Sequence, residues 1–426
     1  MVGKLATFVF TMVCPVGLTW AARASTESFQ ESLLAVGKEP ASVAVADLNH
    51  DGKLDIVVAN TGSESISVLL GDGKGNFQPS LGSPFPAGHL PNDIVLGDFN
   101  HDGNVDLLIP NHQTPYVTIL LGDGKGGFQP APHSPFATQS YPHPHGGAAA
   151  DFNGDGKLDV VIDSWGHNQV NLLLGDGSGN LVTPGRFFDV GKRPYQRLRS
   201  ADFNKDGKPD VVTTNLDGNS VTILLGDGAG GFHEALGSPF AAGAAPWAVA
   251  IDDVNQDGNL DLVTIPYAPD VKNPKQIGVT VLLGDGKGGF APSHESPLPL
   301  EGCRGIDRLS TGDLNGDGYR DIVVTCAQSN NLVMLLGSKD GTFRASTREI
   351  KDLGWSGIAL ADLNGDGKDD IVVPNSGAGT ITILLSKCPP ANDVFGGQAT
   401  ALATNQHRTM RLLRRVCYPP LSVAVG

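Results

Sequence analysis

Basic residues are in short supply: Lys and Arg number 30 against 45 Asp and Glu, a formal charge of −15. With no positive excess to follow a phosphate backbone, nucleic acid is excluded as an ordinary partner. Aromatics make up 6% of the 426 residues and Cys only 5 positions. That is too little cysteine for a disulfide-stapled scaffold, so an apolar core has to supply most of the stability. Long hydrophobic runs are missing except at the extreme N-terminus, which excludes a multi-span membrane protein. Glycine (56) and proline (29) are plentiful instead. Each interior Gly costs about 1 kcal/mol relative to Ala in a helix, so long helices are not expected.

Residues 1–24 read as a secretory signal: Lys4, an apolar run from Leu5 to Trp20, then Ala22-Arg23-Ala24. Pro15 and Gly17 and the shortness of the run weigh against an uncleaved anchor. The expectation is an exported chain (secreted, cell-surface or periplasmic) whose mature form begins near Ser25. Setting aside Cys14, the remaining Cys303, Cys326, Cys388 and Cys417 allow two disulfides.

One sentence is written seven times. The motif D-x-N-x-D-G-x-x-D starts at Asp47, Asp98, Asp151, Asp202, Asp253, Asp313 and Asp362, at intervals of 51, 53, 51, 51, 60 and 49 residues. Its flanks repeat as well: Ser42-Val43-Ala44-Val45-Ala46 before the first copy, Ile56-Val57-Val58-Ala59-Asn60 after it, then Ile66-Ser67-Val68-Leu69-Leu70 and Gly71-Asp72-Gly73-Lys74-Gly75-Asn76-Phe77. Short Val/Ile/Leu runs bounded by Gly, Asp and Asn are strands joined by tight turns. A poorer fourth strand follows each Phe, and its Ser-Pro-Phe sequence confines it to a sheet edge. Four antiparallel strands repeated seven times at about 50 residues predict an all-β, seven-bladed β-propeller. The ends fit ring closure: the seventh copy stops after its third strand, and Ser28-Phe29-Gln30-Glu31-Ser32-Leu33-Leu34 resembles a fourth strand, available to complete the last blade. A closed ring is favoured over an open solenoid on this match.

The repeat D-x-[LFV]-N-x-D-G followed by a strand and later by L-L-G-D-G-x-G-x-F resembles the FG-GAP or VCBS repeat, found in integrin α-subunit propellers and many exported proteins. The resemblance covers roughly Ser25 to Leu385, within a propeller domain expected at residues 25–388, and departs where Ser386-Lys387-Cys388 replaces the last glycine turn. Residues 389–426 match no repeat and carry Arg408, Arg411, Arg414 and Arg415 against a single acid, Asp393; this basic tail is expected to be disordered or a short helix docked on the acidic ring.

Oxygen donors at positions 1, 3, 5 and 9, with a carbonyl at position 7, suit calcium, which takes six to eight oxygens. The expected sets are Asp47, Asn49, Asp51, Asp55 with Lys53; Asp98, Asn100, Asp102, Asp106 with Asn104; and Asp151, Asn153, Asp155, Asp159 with Lys157. They continue as Asp202, Asn204, Asp206, Asp210 with Lys208; Asp253, Asn255, Asp257, Asp261 with Asn259; Asp313, Asn315, Asp317, Asp321 with Tyr319; and Asp362, Asn364, Asp366, Asp370 with Lys368. An EF-hand would need a bidentate Glu at position 12, where Val58, Ile109, Ile162, Thr213, Thr264, Val324 and Val373 stand. Up to seven structural calcium ions would bring the charge from −15 to about −1.

Strand direction puts the acidic loops and the Gly-Asp-Gly turns on one face and the remaining loops on the other, where the copies diverge. Candidates there are Asn92, His145, Tyr195, Arg197, Trp247, Tyr267, Arg308 and Trp355. Aromatic faces with amide and guanidinium donors suit a sugar or an acidic protein loop. Cys303 and Cys326 flank the first two strands of the sixth repeat and are expected to pair, leaving Cys388 and Cys417 to tether the tail. Tyr141-Pro142-His143-Pro144-His145 offers two histidines but no evident third zinc ligand, and reads as a surface loop.

The functional expectation is therefore a calcium-binding, monomeric binding or adhesion module for a glycan or protein ligand, without catalysis. The alternatives are a purely structural surface protein and a lyase-like polysaccharide enzyme, for which His145, Tyr195, Arg197 and Arg308 would be the catalytic candidates.

Overall fold

The second strand of every repeat has an apolar middle behind a leading Asp, and all of its residues are buried: Asp55–Asn60, Asp106–Asn111, Asp159–Ser164, Asp210–Asn215, Asp261–Pro266, Asp321–Cys326 and Asp370–Asn375. Burial on both sides follows from the packing. In the computed structural model, which describes residues 28–267, 277–355 and 357–387, seven antiparallel sheets stand side by side around a ring. Successive side chains of a strand point to opposite faces. Ile56 and Val58 therefore enter the core shared with blade 7, while Val57 and Ala59 enter the core shared with blade 2. Seven such cores lie between neighbouring blades, and each fully buried Val, Leu or Ile stabilises by roughly 1.5–3 kcal/mol.

The ring closes through its two ends. Ser28–Ala35 pairs antiparallel with Thr380–Lys387, in register from Ser28 opposite Lys387 to Ala35 opposite Thr380. The N-terminal strand is thus the outer strand of blade 7, as the sequence match implies.

Outer strands elsewhere are of two kinds. In blades 3 and 6 they are continuous, Leu181–Asp189 and Phe343–Glu349. In blades 1, 2, 4 and 5 they break into two short pieces around a Ser-Pro bond, for example Phe77–Pro79 and Phe85–Pro86, both paired with Ser65–Gly71. The serine repairs the ladder. The Ser83 hydroxyl oxygen accepts the Val68 N–H at 2.9 Å, and Ser134, Ser238 and Ser296 do the same for Ile119, Ile223 and Val281.

Cys303 and Cys326 are joined in a disulfide, Cα atoms 5.2 Å apart, linking the entry to blade 6 with the end of its second strand. The enclosed separation of 23 residues predicts that reduction costs about 3 kcal/mol, checked by urea unfolding with and without reductant. The signal segment, Cys388, Cys417 and the basic tail lie outside the described residues, as does most of the long fifth-repeat loop at 268–276. Among the described residues no helix is long and apolar enough to cross a membrane.

Candidate functional site

Two faces are built differently. On the first, every D-x-N-x-D-G loop folds around its own carboxylates. In blade 1 the Gly52 N–H donates to Asp47 Oδ2 at 2.9 Å, and the Asp51 N–H donates to Asn49 Oδ1 at 3.0 Å. The Lys53 N–H donates to Asp51 Oδ1, also at 3.0 Å. Gly52 sits at φ +76°, the left-handed region that position 6 demands for the reversal. The same bonds recur in the other blades, including Gly318 to Asp313 and Gly367 to Asp362, each at 2.8 Å.

The ninth-position aspartate has a second task. Asp55 is fully buried; its Oδ2 accepts the Leu48 N–H at 2.9 Å and its Oδ1 the Gly71 N–H at 2.7 Å. It thereby ties the acidic loop to the end of the third strand, so the loop and the Gly-Asp-Gly turn lie together. Burial pushes the equivalent Asp106, Asp159, Asp210 and Asp261 up to about 6, against the pull of these N–H bonds. Asp321 and Asp370 are pushed to about 7 for the same reason, with the carboxylates at positions 5 and 1 adding repulsion. Carboxylate and amide oxygens gathered in one tight loop are a donor set that fits a hard divalent cation. Neighbouring loops also touch: His50 Nε2 lies 2.9 Å from Asn104 Oδ1, and Lys205 Nζ lies 2.7 Å from Asn259 Oδ1.

On the opposite face, side chains from blades 2 to 5 converge into a row of rings. Ring centroids are 4.2 Å apart for His145 and Tyr195, and 5.0 Å for Tyr195 and Trp247. Trp247 and Tyr267 stack at 4.4 Å. Trp165 joins at 5.0 Å from Tyr195, and the Arg193 guanidinium lies 5.1 Å from the Tyr195 ring and 5.8 Å from that of Trp165. The indole N–H groups of Trp165 and Trp247 find no acceptor among the described residues. Beyond His145 stand His112 and His143; burial drives the His112 imidazole down to about 4, with its two histidine neighbours adding to the effect, and lowers His143 as well.

Of the sequence candidates, His145, Tyr195, Trp247 and Tyr267 come together here. Asn92 does not present its amide to the outside: it donates to the His145 carbonyl at 2.9 Å and so holds that loop. Arg308 is 8% exposed, pairs with Asp307, and lines the central channel with Asp93 and Arg199 rather than the face. Trp355 is exposed on blade 7 and makes no ring contact with the row among the described residues. The Arg197 side chain lies outside the described residues.

Sequence reasoning missed Trp165, Arg193 and His112. A signal existed: fourteen residues after each motif Asp stand Thr61, His112, Trp165, Leu216, Tyr267, Ala327 and Ser376, the start of the loop after the second strand. Three of these seven positions enter the cluster. The strand-end Asn residues, by contrast, brace turns: Asn60 Nδ2 donates to Ser65 and Ser67, and Asn375 Nδ2 to Thr380 and Thr382.

A family model described as FG-GAP-like repeat matches residues 47–109, 111–162, 202–264 and 313–373, more than half the chain. Cartilage acidic protein 1 of Xenopus tropicalis is 27% identical over 184 residues, 40% of this chain and 28% of that protein. T-cell immunomodulatory protein of Rattus norvegicus is 24% identical over 237 residues, 53% of this chain and 36% of that protein. The chain spans about a third of the length of these curated relatives. Among solved structures, virginiamycin B lyase from Staphylococcus aureus superposes with a TM-score of 0.55 at 13% identity, covering 84% of this chain and 99% of the lyase. BBS1N, solved in complex with ARL6DN, gives 0.55 at 11% identity, covering 86% and 98%. At such identities the likeness shows the fold alone.

Proposed function

The chain belongs to the FG-GAP-like repeat family, and from that premise we propose that it is an exported, calcium-stabilised binding module whose ligand is a glycan seated on the aromatic row. The observation that carries this reading is the contiguous set of rings Trp165, Tyr195, Trp247 and Tyr267 with Arg193 beside them. A row of aromatic faces suits the apolar face of a sugar ring. A guanidinium adds directed donors for a carboxylate or a further hydroxyl.

Calcium enters as structure rather than chemistry. Up to seven ions would be held by the acidic loops, on the face away from the row. The test is a glycan array probed with the calcium-loaded protein, followed by titration of the best binder. Trp165→Ala and Tyr267→Ala are each expected to weaken it at least tenfold, about 1.4 kcal/mol. Leu81→Ala, on the rim of blade 1 and 98% exposed, should leave it unchanged. A calcium-loaded protein that binds no glycan, or one indifferent to both ring substitutions, would sink the glycan reading; saturable binding of a protein in its place would move the ligand class.

A further inference from the structure

Three imidazoles meet at the end of the aromatic row. His112 follows the second strand of blade 2, and His143 and His145 lie two residues apart on the segment that enters blade 3. Side chains two apart in extended backbone share a side. The fold thus brings the histidine pair, which looks incomplete in sequence, against a third. One ring nitrogen from each of the three lies within 4.8 Å of the others. Ring centroids are 4.5 Å apart for His112 and His143, 5.0 Å for His112 and His145, and 4.8 Å for His143 and His145.

A histidine that merely fills a core has its nitrogens hydrogen-bonded. His145 departs from that: its side chain is fully buried and neither ring nitrogen makes a hydrogen bond among the described residues. Nδ1 faces Asp163 Oδ2 at 3.4 Å, and Asp163 is itself held, its Oδ1 accepting the N–H groups of His145 at 2.8 Å and Gly146 at 2.9 Å. Asn92 fixes the His145 carbonyl, and the His112 N–H donates to the Leu90 carbonyl at 2.9 Å. Such an arrangement, a buried imidazole backed by an anchored carboxylate on one nitrogen and left with the other, is the way metal-ligating histidines are oriented.

We propose that His112, His143 and His145 form a mononuclear zinc site, with Asp163 as the positioning residue behind His145. Imidazole is a poor ligand for calcium, which prefers oxygen, so the site is chemically separate from the acidic loops on the other face. Zinc bound at 2.0–2.1 Å by tetrahedral nitrogens separates them by about 3.4 Å, so the three rings need only a small inward rotation from their present spacing. Three protein ligands leave one position for water or an outside donor. Trp165 lies 5.8 Å from His143 and 5.7 Å from His145 by ring centroids, close enough for its fluorescence to report the metal. This assignment does not rest on the glycan reading: failure of glycan binding would leave zinc stoichiometry untouched.

The test uses the full chain without an affinity tag, saturated with calcium and titrated with zinc chloride by calorimetry, with bound metals counted after desalting. One zinc per chain is expected, accompanied by a change in tryptophan emission; cobalt(II) in its place should give the visible bands of a four-coordinate ion. His112→Gln and His143→Gln should each lower the affinity at least 100-fold. Asp163→Asn keeps the acceptor for the two N–H groups but loses the one facing Nδ1, and should weaken zinc by about 10–100-fold. His133→Gln, exposed on the outer turn of blade 2, is the control and should bind as the parent does. Calcium content and melting temperature establish that each variant is folded. Absence of zinc from the calcium-loaded parent at micromolar free metal would overturn the proposal, as would undiminished binding in folded His112→Gln and His143→Gln.

Discussion

If the acidic loops hold calcium as proposed, chelation is expected to lower the melting temperature by roughly 10–25 °C. The magnitude follows from linkage: an ion at 100 times its dissociation constant stabilises the folded state by about 2.7 kcal/mol per site. Seven loops of one design multiply that to about 19 kcal/mol when all are filled, and fewer filled loops scale it down. For a ring of this size, with an unfolding entropy near 2.1 cal/mol/K per residue, each kcal/mol moves the midpoint by a little over 1 °C. The electrostatic origin is visible in the acidic face, where burial and mutual repulsion push the ninth-position carboxyls as high as about 7. A divalent ion removes that repulsion, whereas sodium at the same ionic strength only screens it. Calorimetric melting in millimolar calcium, then in chelator with matched salt, measures the difference; coincident curves would reject structural calcium.

A second large effect separates the backbone ties of the acidic loops from their proposed metal binding. In blade 6, Asp321 Oδ2 accepts the Leu314 N–H at 2.9 Å and Oδ1 the Gly337 N–H at 2.8 Å, with no part of the residue exposed. Asp321→Asn turns one of these acceptors into a donor facing a buried N–H. The expected loss is about 2–4 kcal/mol, present with calcium and in chelator alike. Asp317→Asn, at the exposed fifth position, leaves the backbone ties of blade 6 in place and removes one carboxylate from the ion. Its cost should be clear in calcium and under about 0.5 kcal/mol in chelator. Urea unfolding of both variants under both conditions gives the four numbers. Equal behaviour of the two would mean that the ninth position is a ligand and nothing more.

Ring architecture was legible because it is written redundantly. Every blade repeats the same alternation of Val, Ile and Leu about the same acidic loop, so an error in reading one copy is corrected by the next. Even the seam could be read, since an orphan strand before the first copy answered a missing one after the last. The binding face has no such redundancy. Trp165, Arg193, Trp247 and His112 each come from a different blade, and the copies disagree at these positions: Thr61, Leu216, Ala327 and Ser376 answer His112 and Trp165, while Ala41, Asn92, Gln196 and Asp307 answer Trp247. Only the closed ring makes them neighbours. Asn92 and Arg308 turn away from the aromatic row for a related reason: the direction of a side chain near the inner strand depends on a local register that spacing alone does not specify. In blade 6 that register shifts between Ile306 and Leu309, and Arg308 ends in the channel. The split of the outer strands is not written in the pattern either, because a serine hydroxyl stands in for a backbone group that the proline turn displaces.

The seam has a consequence for how the molecule can be presented. Ser28 and Lys387 are opposite each other, and the neighbouring Ser386 N–H is bound to Asp370 of the seventh acidic loop. Whatever is attached to either end of the disc therefore departs from one spot on its acidic-loop side. A tether there would hold the molecule by its back, with the rings of blades 2 to 5 turned outward and unobstructed. Tension applied between the two flanking segments would peel a single strand pair rung by rung instead of shearing it, so under load this joint would yield before any of the six blades formed by one unbroken stretch of chain.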